Sequence, residues 1–391
     1  MDKYKIIYKN YSILGAYFYD NAFGLFFFSE KTDIDLEFSE YIGFNVKEET
    51  LEINDLNDYK SYKYKIDGYF IYVFAKLNNN INVKYNNFDL CDSVYFDILS
   101  KIFILPNGNY VCSNIQNYIT AIEKIKNVSP DMETFFRGHY SYQYSLIPSL
   151  FRKKKYYDNE DRMYMDFKTQ FYNELSNKKY IENLTTMQHY KMPTRLLDTT
   201  SNPLVALWMA CEKPEEKLKG INIGEVKIMN AKRSDVKYSD SNTITLVSAL
   251  SVLDVKYKQE LYDKIIESIK LNDSSIYRNS MAYRRYYAEV SNELSYFDED
   301  IFDPKVLLTP KHVRVGMIND RIISQSGSFI LFGLCDYQRG EQSELNTLSK
   351  ERIFIVNKEY ILKQLDMLNI NRGTMYPDKD NTSVNIVKSY E

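Results

Sequence analysis

Gln188-His-Tyr-Lys-Met-Pro-Thr-Arg-Leu-Leu-Asp-Thr-Thr-Ser-Asn-Pro-Leu-Val-Ala-Leu-Trp-Met-Ala-Cys211 sets a histidine, an arginine, an aspartate and a run of small polar residues between two apolar segments. Leu196-Leu197 reads as the end of a short buried strand, and Thr199 to Asn202 as capping residues. Pro203 suits a first helical position, where its fixed φ fits and its missing N–H has no partner to lose. Leu204, Leu207, Trp208 and Cys211 follow at i, i+3, i+4, i+7, the spacing of one buried helical face. A helix N-terminus opening beside Arg195 and His189 is a candidate anion site, because its N–H groups and dipole favour negative charge. The same residues also fit a capped core helix after a strand, and the sequence leaves both open.

Outward from that stretch, 391 residues are long enough for two domains with their own cores. Apolar content of 44% and charged content of 26% are those of a globular protein. A formal net charge of -3 supplies no global basic field to recruit nucleic acid or an anionic membrane. The four cysteines, Cys91, Cys112, Cys211 and Cys335, form no C-x-x-C pair. With only His139, His189 and His312 beside them, no metal site is expected. No basic-then-apolar leader and no 18-residue apolar run is present, so a cytoplasmic protein with no membrane partner is expected.

Residues 1–114 read as a β-rich N-terminal domain, a small sandwich or barrel. Aromatic runs at Tyr17 to Tyr19 and Leu25 to Phe28 alternate with turn residues. Asp67-Gly68 and Asn107-Gly108 are two-residue hairpin signals, since type I′ turns need φ > 0 at both central residues. No chemical motif lies there, and its expected role is recognition of a protein trigger or partner. A boundary falls near residue 114.

Residues 115–391 read as a mixed α/β domain, making the chain α+β overall. Ile115, Ile119, Ile122 and Ile125 mark a helical face. Thr134-Phe135-Phe136-Arg137-Gly138-His139 looks like a buried strand delivering an arginine at its end, with Gly138 allowing close approach to the backbone. Arg152 to Lys155 is a basic run, read as a solvated edge or a phosphate-contacting patch. Glu160 to Tyr180 carries Met163, Phe167, Phe171 and Leu175 at steps of four, an amphipathic helix. Further strands are expected at Gly224 to Met229, Val306 to Leu308, Ile330 to Phe332 and Arg352 to Val356, with helices around Leu261 to Ile269 and Lys358 to Leu368.

Three motifs then stand out: Phe136-Arg137-Gly138 with Leu146-x-Pro148-Ser149-Leu150-x-Arg152; Gln188-His189-Tyr190 with Pro193-Thr194-Arg195-Leu196-Leu197-Asp198; and Arg321-Ile322 with Gln325-x-Gly327-x-Phe329. Together they resemble the FRG domain, and Tyr376-Pro377-Asp378 is similar to that family's closing Phe-Pro-Asp. The resemblance covers about residues 115–391. Thr199 departs from it, standing where the family usually has tryptophan. FRG proteins are mostly bacterial or phage-associated, so the resemblance implies an effector in antiviral defence or toxicity. A second resemblance is to the order of motifs in ADP-ribosyltransferases: a strand-end arginine (Arg137), a Ser-Thr-Ser-like segment (Thr199-Thr200-Ser201) and a Glu or Gln (Gln325). It implies NAD as cofactor, with Arg137 on its phosphates, the second motif shaping the nicotinamide pocket and Gln325 orienting ribose or acceptor. Gln325 replaces the usual catalytic glutamate and cannot act as a base.

The candidate catalytic residues are therefore Arg137, His189 and Gln325. The candidate cofactor-binding residues are Arg137, Gly138, Arg195, Thr200 and Asn202. Arginine offers a planar fork of donors for phosphate, so Arg137 with Arg195 can hold a pyrophosphate; alternatively Arg195 and Asp198 form a structural ion pair. Asn202 is either a ligand contact or a helix cap. His189 is a general acid–base candidate or a buried neutral histidine. The expected partner is a small nucleotide, with nucleic acid as the further candidate. The alternative function is a non-catalytic nucleotide- or nucleic-acid-binding module with a β sensor domain.

Overall fold

The computed structural model describes residues 110–377 except 113, 126–128, 143, 215–222, 299–301, 317–319, 336–350 and 356–357, together with the backbone of the strands N-terminal to residue 110. Strands β1 (Ile7–Tyr8), β2 (Tyr11–Tyr19), β3 (Ala22–Ser29), β4 (Leu51–Leu56), β5 (Tyr59–Ile66) and β6 (Tyr69–Lys76) pair in the order β1-β2-β3-β6-β5-β4. β5 and β6 are antiparallel down to Ile66↔Tyr69, which leaves a two-residue connection at Asp67-Gly68. The two hairpin turns themselves, and any closure into a sandwich or barrel, lie outside the described residues.

A second sheet has ten strands: β7 (Tyr95–Asp97), β8 (Ile102–Ile104), β9 (Tyr110–Cys112), β10 (Met132–His139), β11 (Leu196–Thr200), β12 (Gly224–Lys232), β13 (Lys237–Tyr238), β14 (Lys311–Arg314), β15 (Gly327–Leu331) and β16 (Glu351–Ile355). Their order is β13-β14-β15-β11-β10-β12-β16-β9-β8-β7. Only β13/β14 and β16/β9 are parallel; the other neighbours are antiparallel. β9, which precedes the boundary expected near residue 114, is thus an inner strand of this sheet.

Strand alternation splits the sheet's apolar residues between two cores. Phe136, Val226, Ile228, Ile353 and Ile355 pack against the helices Ile115–Ile125, Pro203–Cys211 and Lys358–Met367. Phe135, Leu197, Met229, Ile330 and Phe332 pack on the other face against Leu146, Leu150, Phe151 and Tyr157. A third core, around Leu184, Leu250, Leu261, Tyr286 and Phe329, holds the helices Tyr180–His189, Asn242–Ser248, Val255–Leu271 and Met281–Ser291.

Several elements differ from their expected form. Leu196-Leu197 begins β11 instead of ending a strand, so Thr199 and Thr200 are strand residues and only Asn202 caps the following helix. That helix is buried almost all round, with Val205, Ala206 and Ala210 inside as well as the expected stripe. The long helix expected over Glu160 to Tyr180 breaks at Phe171, which caps both pieces and is exposed; a separate helix, Tyr180–His189, follows. Val306 to Leu308 forms no strand. Asp303 accepts from Lys305 N and Pro304 takes the first position, which starts a 3-10 helix over Pro304–Leu307. In Ile115–Ile125, Tyr118 and Ala121 are buried and Ile119 is exposed.

Candidate functional site

Arg137 lies inside β10, not at its end. β10 and β11 are joined at one register position, Phe136↔Thr200, whereas β10 runs beside β12 for eight. Beyond Phe136 the Arg137 guanidinium fills the gap, donating from Nη1 to the Asp198 carbonyl at 2.9 Å and to Asp198 Oδ2 at 3.3 Å. The other Asp198 carboxylate oxygen accepts from Gln188 Nε2 at 2.6 Å, and Gln188 Oε1 accepts from Thr194 Oγ1 at 3.0 Å. The two ends of the Gln188–Asp198 motif are therefore closed on one another. Charge-assisted bonds of this kind fix a carboxylate's orientation.

That carboxylate borders an open cleft of about 370 Å³, counted to its mouth. Thr185, Gln188 and His189 from the helix Tyr180–His189 form one wall. Asp198 and Thr199 of β11, with Gly327, Ser328 and Phe329 of β15, form the floor. Arg321, Ile322 and Gln325 form the remaining wall. Most of that space is the open mouth; the enclosed part is about 30 Å³, room for a water molecule or two, so a larger ligand would lie mainly in the mouth. His189 ends its helix with its ring edge-on to Tyr190, and its buried Nδ1 has no hydrogen-bond partner among the described residues. Arg321 has no carboxylate partner among the described residues; its guanidinium sits 4.9 Å from the centre of the Tyr376 ring.

Of the expected site residues, His189 and Gln325 meet in this cleft and Arg137 borders it through Asp198. Gln325 Nε2 is committed to the Met375 carbonyl at 3.0 Å, and its own carbonyl accepts from Thr200 Oγ1 at 2.7 Å. Thr200 is thus a buried tie between β11 and the loop before β15 instead of a ligand contact. Asn202 accepts from Leu204 N at 2.9 Å, the capping alternative. Gly138 admits a helix, not a ligand: a Cβ there would stand 2.0 Å from Ala206 O.

Arg195 points away from the cleft. Its guanidinium is wholly buried, donating to both Glu160 carboxylate oxygens and to the carbonyls of Phe332 and Gly333. Lys258 Nζ joins Glu160 at 2.7 Å. Burial works to raise the Glu160 pKa, but the two cations together hold it below the usual carboxylate range. The pairing of Arg195 with Asp198 does not form, because residues three apart in a strand point to opposite faces. Glu160 lies 35 positions upstream, and nothing in the spacing signals it. Asp198, by contrast, sits in a motif legible from the start.

Among the described residues no three His, Cys, Asp or Glu side chains cluster as a metal site would require, and no helix is long and apolar enough to cross a membrane. No curated protein and no solved structure matches the chain. A family model does match, over residues 132–219, a span that contains Phe136-Arg137-Gly138, the Leu146 to Arg152 motif and the Gln188 to Asp198 motif, while the Arg321 to Phe329 and Tyr376 to Asp378 motifs lie C-terminal to it. The family whose model matches residues 132–219 is the FRG domain.

Proposed function

We propose that the Asp198–His189 cleft binds a nucleotide, with NAD the leading ligand, and that the chain uses it in ADP-ribosyl transfer or NAD cleavage. One observation carries the reading. A carboxylate oriented by Arg137 and Gln188 shares a cleft with Arg321 and with a histidine whose Nδ1 lacks a partner among the described residues. Breaking a glycosidic bond builds positive charge on the sugar, and a fixed carboxylate beside it stabilises that charge. Asp198 can also accept a hydrogen bond from a ribose hydroxyl. Arg321 supplies a planar cation for a phosphate. The carboxylate role that Gln325 cannot play falls to Asp198. Titration calorimetry with NAD, and chromatography for released nicotinamide, test this. Asp198→Asn is expected to slow turnover by about 10²-fold or more, and Arg137→Ala to abolish binding. No heat and no nicotinamide from the wild-type chain would sink the reading.

A second reading, binding without turnover, is favoured by Gln325, whose amide is tied to the Met375 backbone. It predicts NAD or mononucleotide binding with no product. Nucleic-acid binding has its own candidate surface in the exposed run Arg152 to Lys155, although Lys154 is paired with Asp158. Salt-sensitive gel shifts that depend on this run decide that version. The role in defence or toxicity rests on the family resemblance, with the N-terminal strands as the expected sensor of a protein trigger. Growth arrest on expression that requires Arg137 and His189 supports it, and unaffected growth counts against it.

A further inference from the structure

The register of the second sheet aligns three cations. Arg137 on β10 lies opposite Lys227 on β12, and Lys227 lies opposite Arg352 on β16. Directly opposed residues share a face with Cβ atoms about 5 Å apart, and like charges in that relation destabilise a sheet. The row is a lane between two covered ones. On one side Phe135 and Met229 lie under Leu146, Leu150 and Phe151. On the other, His139, Glu225 and Phe354 are opposed, with Tyr144 edge-on to His139 and Tyr142 edge-on to Phe354.

Neutralisation of the row is incomplete. Glu225 is fully buried; Arg352 Nη1 is 3.2 Å from its Oε1, while Lys227 Nζ stands 3.7 Å from Oε2, which has no hydrogen-bond partner. Lys227 is 7% exposed and makes no hydrogen bond among the described residues. Arg137 leans on Asp198, but its Nε is buried without a partner among the described residues. His139, whose Nδ1 is 3.7 Å from the same Glu225 oxygen, adds no fourth positive charge, since burial pushes its pKa down to about 4. Among the described residues three cations (Arg137, Lys227, Arg352) thus face two carboxylates (Glu225, Asp198), with Arg137 Nε left without a partner and Lys227 Nζ held only by its ion pair at 3.7 Å. A mostly buried ammonium without an acceptor is costly unless a further anion completes it.

We propose that the row Arg137–Lys227–Arg352 is an anion site that takes the pyrophosphate of the nucleotide whose nucleoside end occupies the Asp198–His189 cleft. The pyrophosphate assignment rests on the nucleotide reading of that cleft, and Arg137 is the residue common to both. It replaces the pairing of Arg137 with Arg195, since Arg195 is sealed in a core.

Inorganic pyrophosphate and NAD, titrated separately into the full chain by calorimetry, test it. Pyrophosphate is expected to bind the wild type. Lys227→Met and Arg352→Gln are each expected to weaken it at least about tenfold, the worth of one charge-assisted bond. Arg314→Gln removes the same charge from a surface pair with Glu133 and is expected to leave pyrophosphate affinity unchanged. Arg352, the most exposed of the three, keeps the test available should Lys227→Met fail to fold. Equal losses in Arg314→Gln, or no loss in the row variants, overturn the site. NAD binding that ignores both row variants removes the row while leaving the cleft reading in place. Pyrophosphate binding that depends on the row, without NAD binding, leaves the anion site and removes the nucleotide cleft.

Discussion

Gly138 shows how tightly one position is specified. The helix Pro203–Cys211 crosses β10 so closely that a methyl group would meet Ala206 O at 2.0 Å and Ala210 N at 2.7 Å. Both are backbone atoms, so the helix would have to move as a body. Gly138→Ala is expected to cost about 3 kcal/mol, read as a lower midpoint in chemical denaturation. The buried group Glu160–Arg195–Lys258 is the other sensitive point. Removing Glu160 leaves two cations in a core with no counter-charge, so Glu160→Gln is expected to cost about 3–5 kcal/mol. Arg195→Met is expected to cost less, because Lys258 remains to pair the carboxylate. If denaturation shows Arg195→Met to be the worse of the two, the charge accounting is wrong.

At the scale of elements, the helix Tyr180–His189 carries two cleft residues on its last turn and meets a titratable group from elsewhere in the chain at its start. Glu293 Oε1 accepts from Tyr180 N there. Burial raises the Glu293 pKa to about 7, against the lowering effects of that backbone donor and of Lys179. The folded value is above the unfolded one, so the folded chain binds the extra proton between them. Its stabilising contribution is complete below about pH 4.5 and is lost as pH rises to about 7. Glu293→Gln is expected to flatten the thermal midpoint against pH across that window; an unchanged slope would assign the titration elsewhere.

The same helix marks where the sequence was legible and where it was not. β10, β11, β12, β15 and β16 announce themselves as short apolar runs, and Asn202-Pro203 announces a helix start. Phe171 and the residues after it continue an apolar stripe that tertiary packing ignores, because the ring lies beside Tyr190 in solvent instead of in the core. Three of the cleft's contributors, Gln188, His189 and Asp198, were visible as one motif. Arg195 was misassigned because its partner comes from a distant helix, and Lys227 was invisible because only strand register sets it beside Arg137.

For the whole molecule, the one-turn helix Arg372–Met375, with Tyr376 after it, is what joins the cleft to the core behind the sheet. Ser324 Oγ and Gln325 Nε2 both donate to the Met375 carbonyl, Tyr376 lies beneath Arg321, and its other neighbour is Trp208, edge-on at 5.7 Å between ring centres. Tyr376→Ala is expected to cost about 1–3 kcal/mol and, on the proposed function, to raise the KM for NAD by loosening Arg321. A stability loss with KM unchanged would separate the turn from the cleft.

Trp208 is the chain's single tryptophan, 2% exposed. Its emission therefore reports one place only, the indole pressed against Tyr376. Any occupant that draws Arg321 off the tyrosine should alter that emission, so the native protein carries its own optical gauge of whether the cleft is filled, with no dye or label attached.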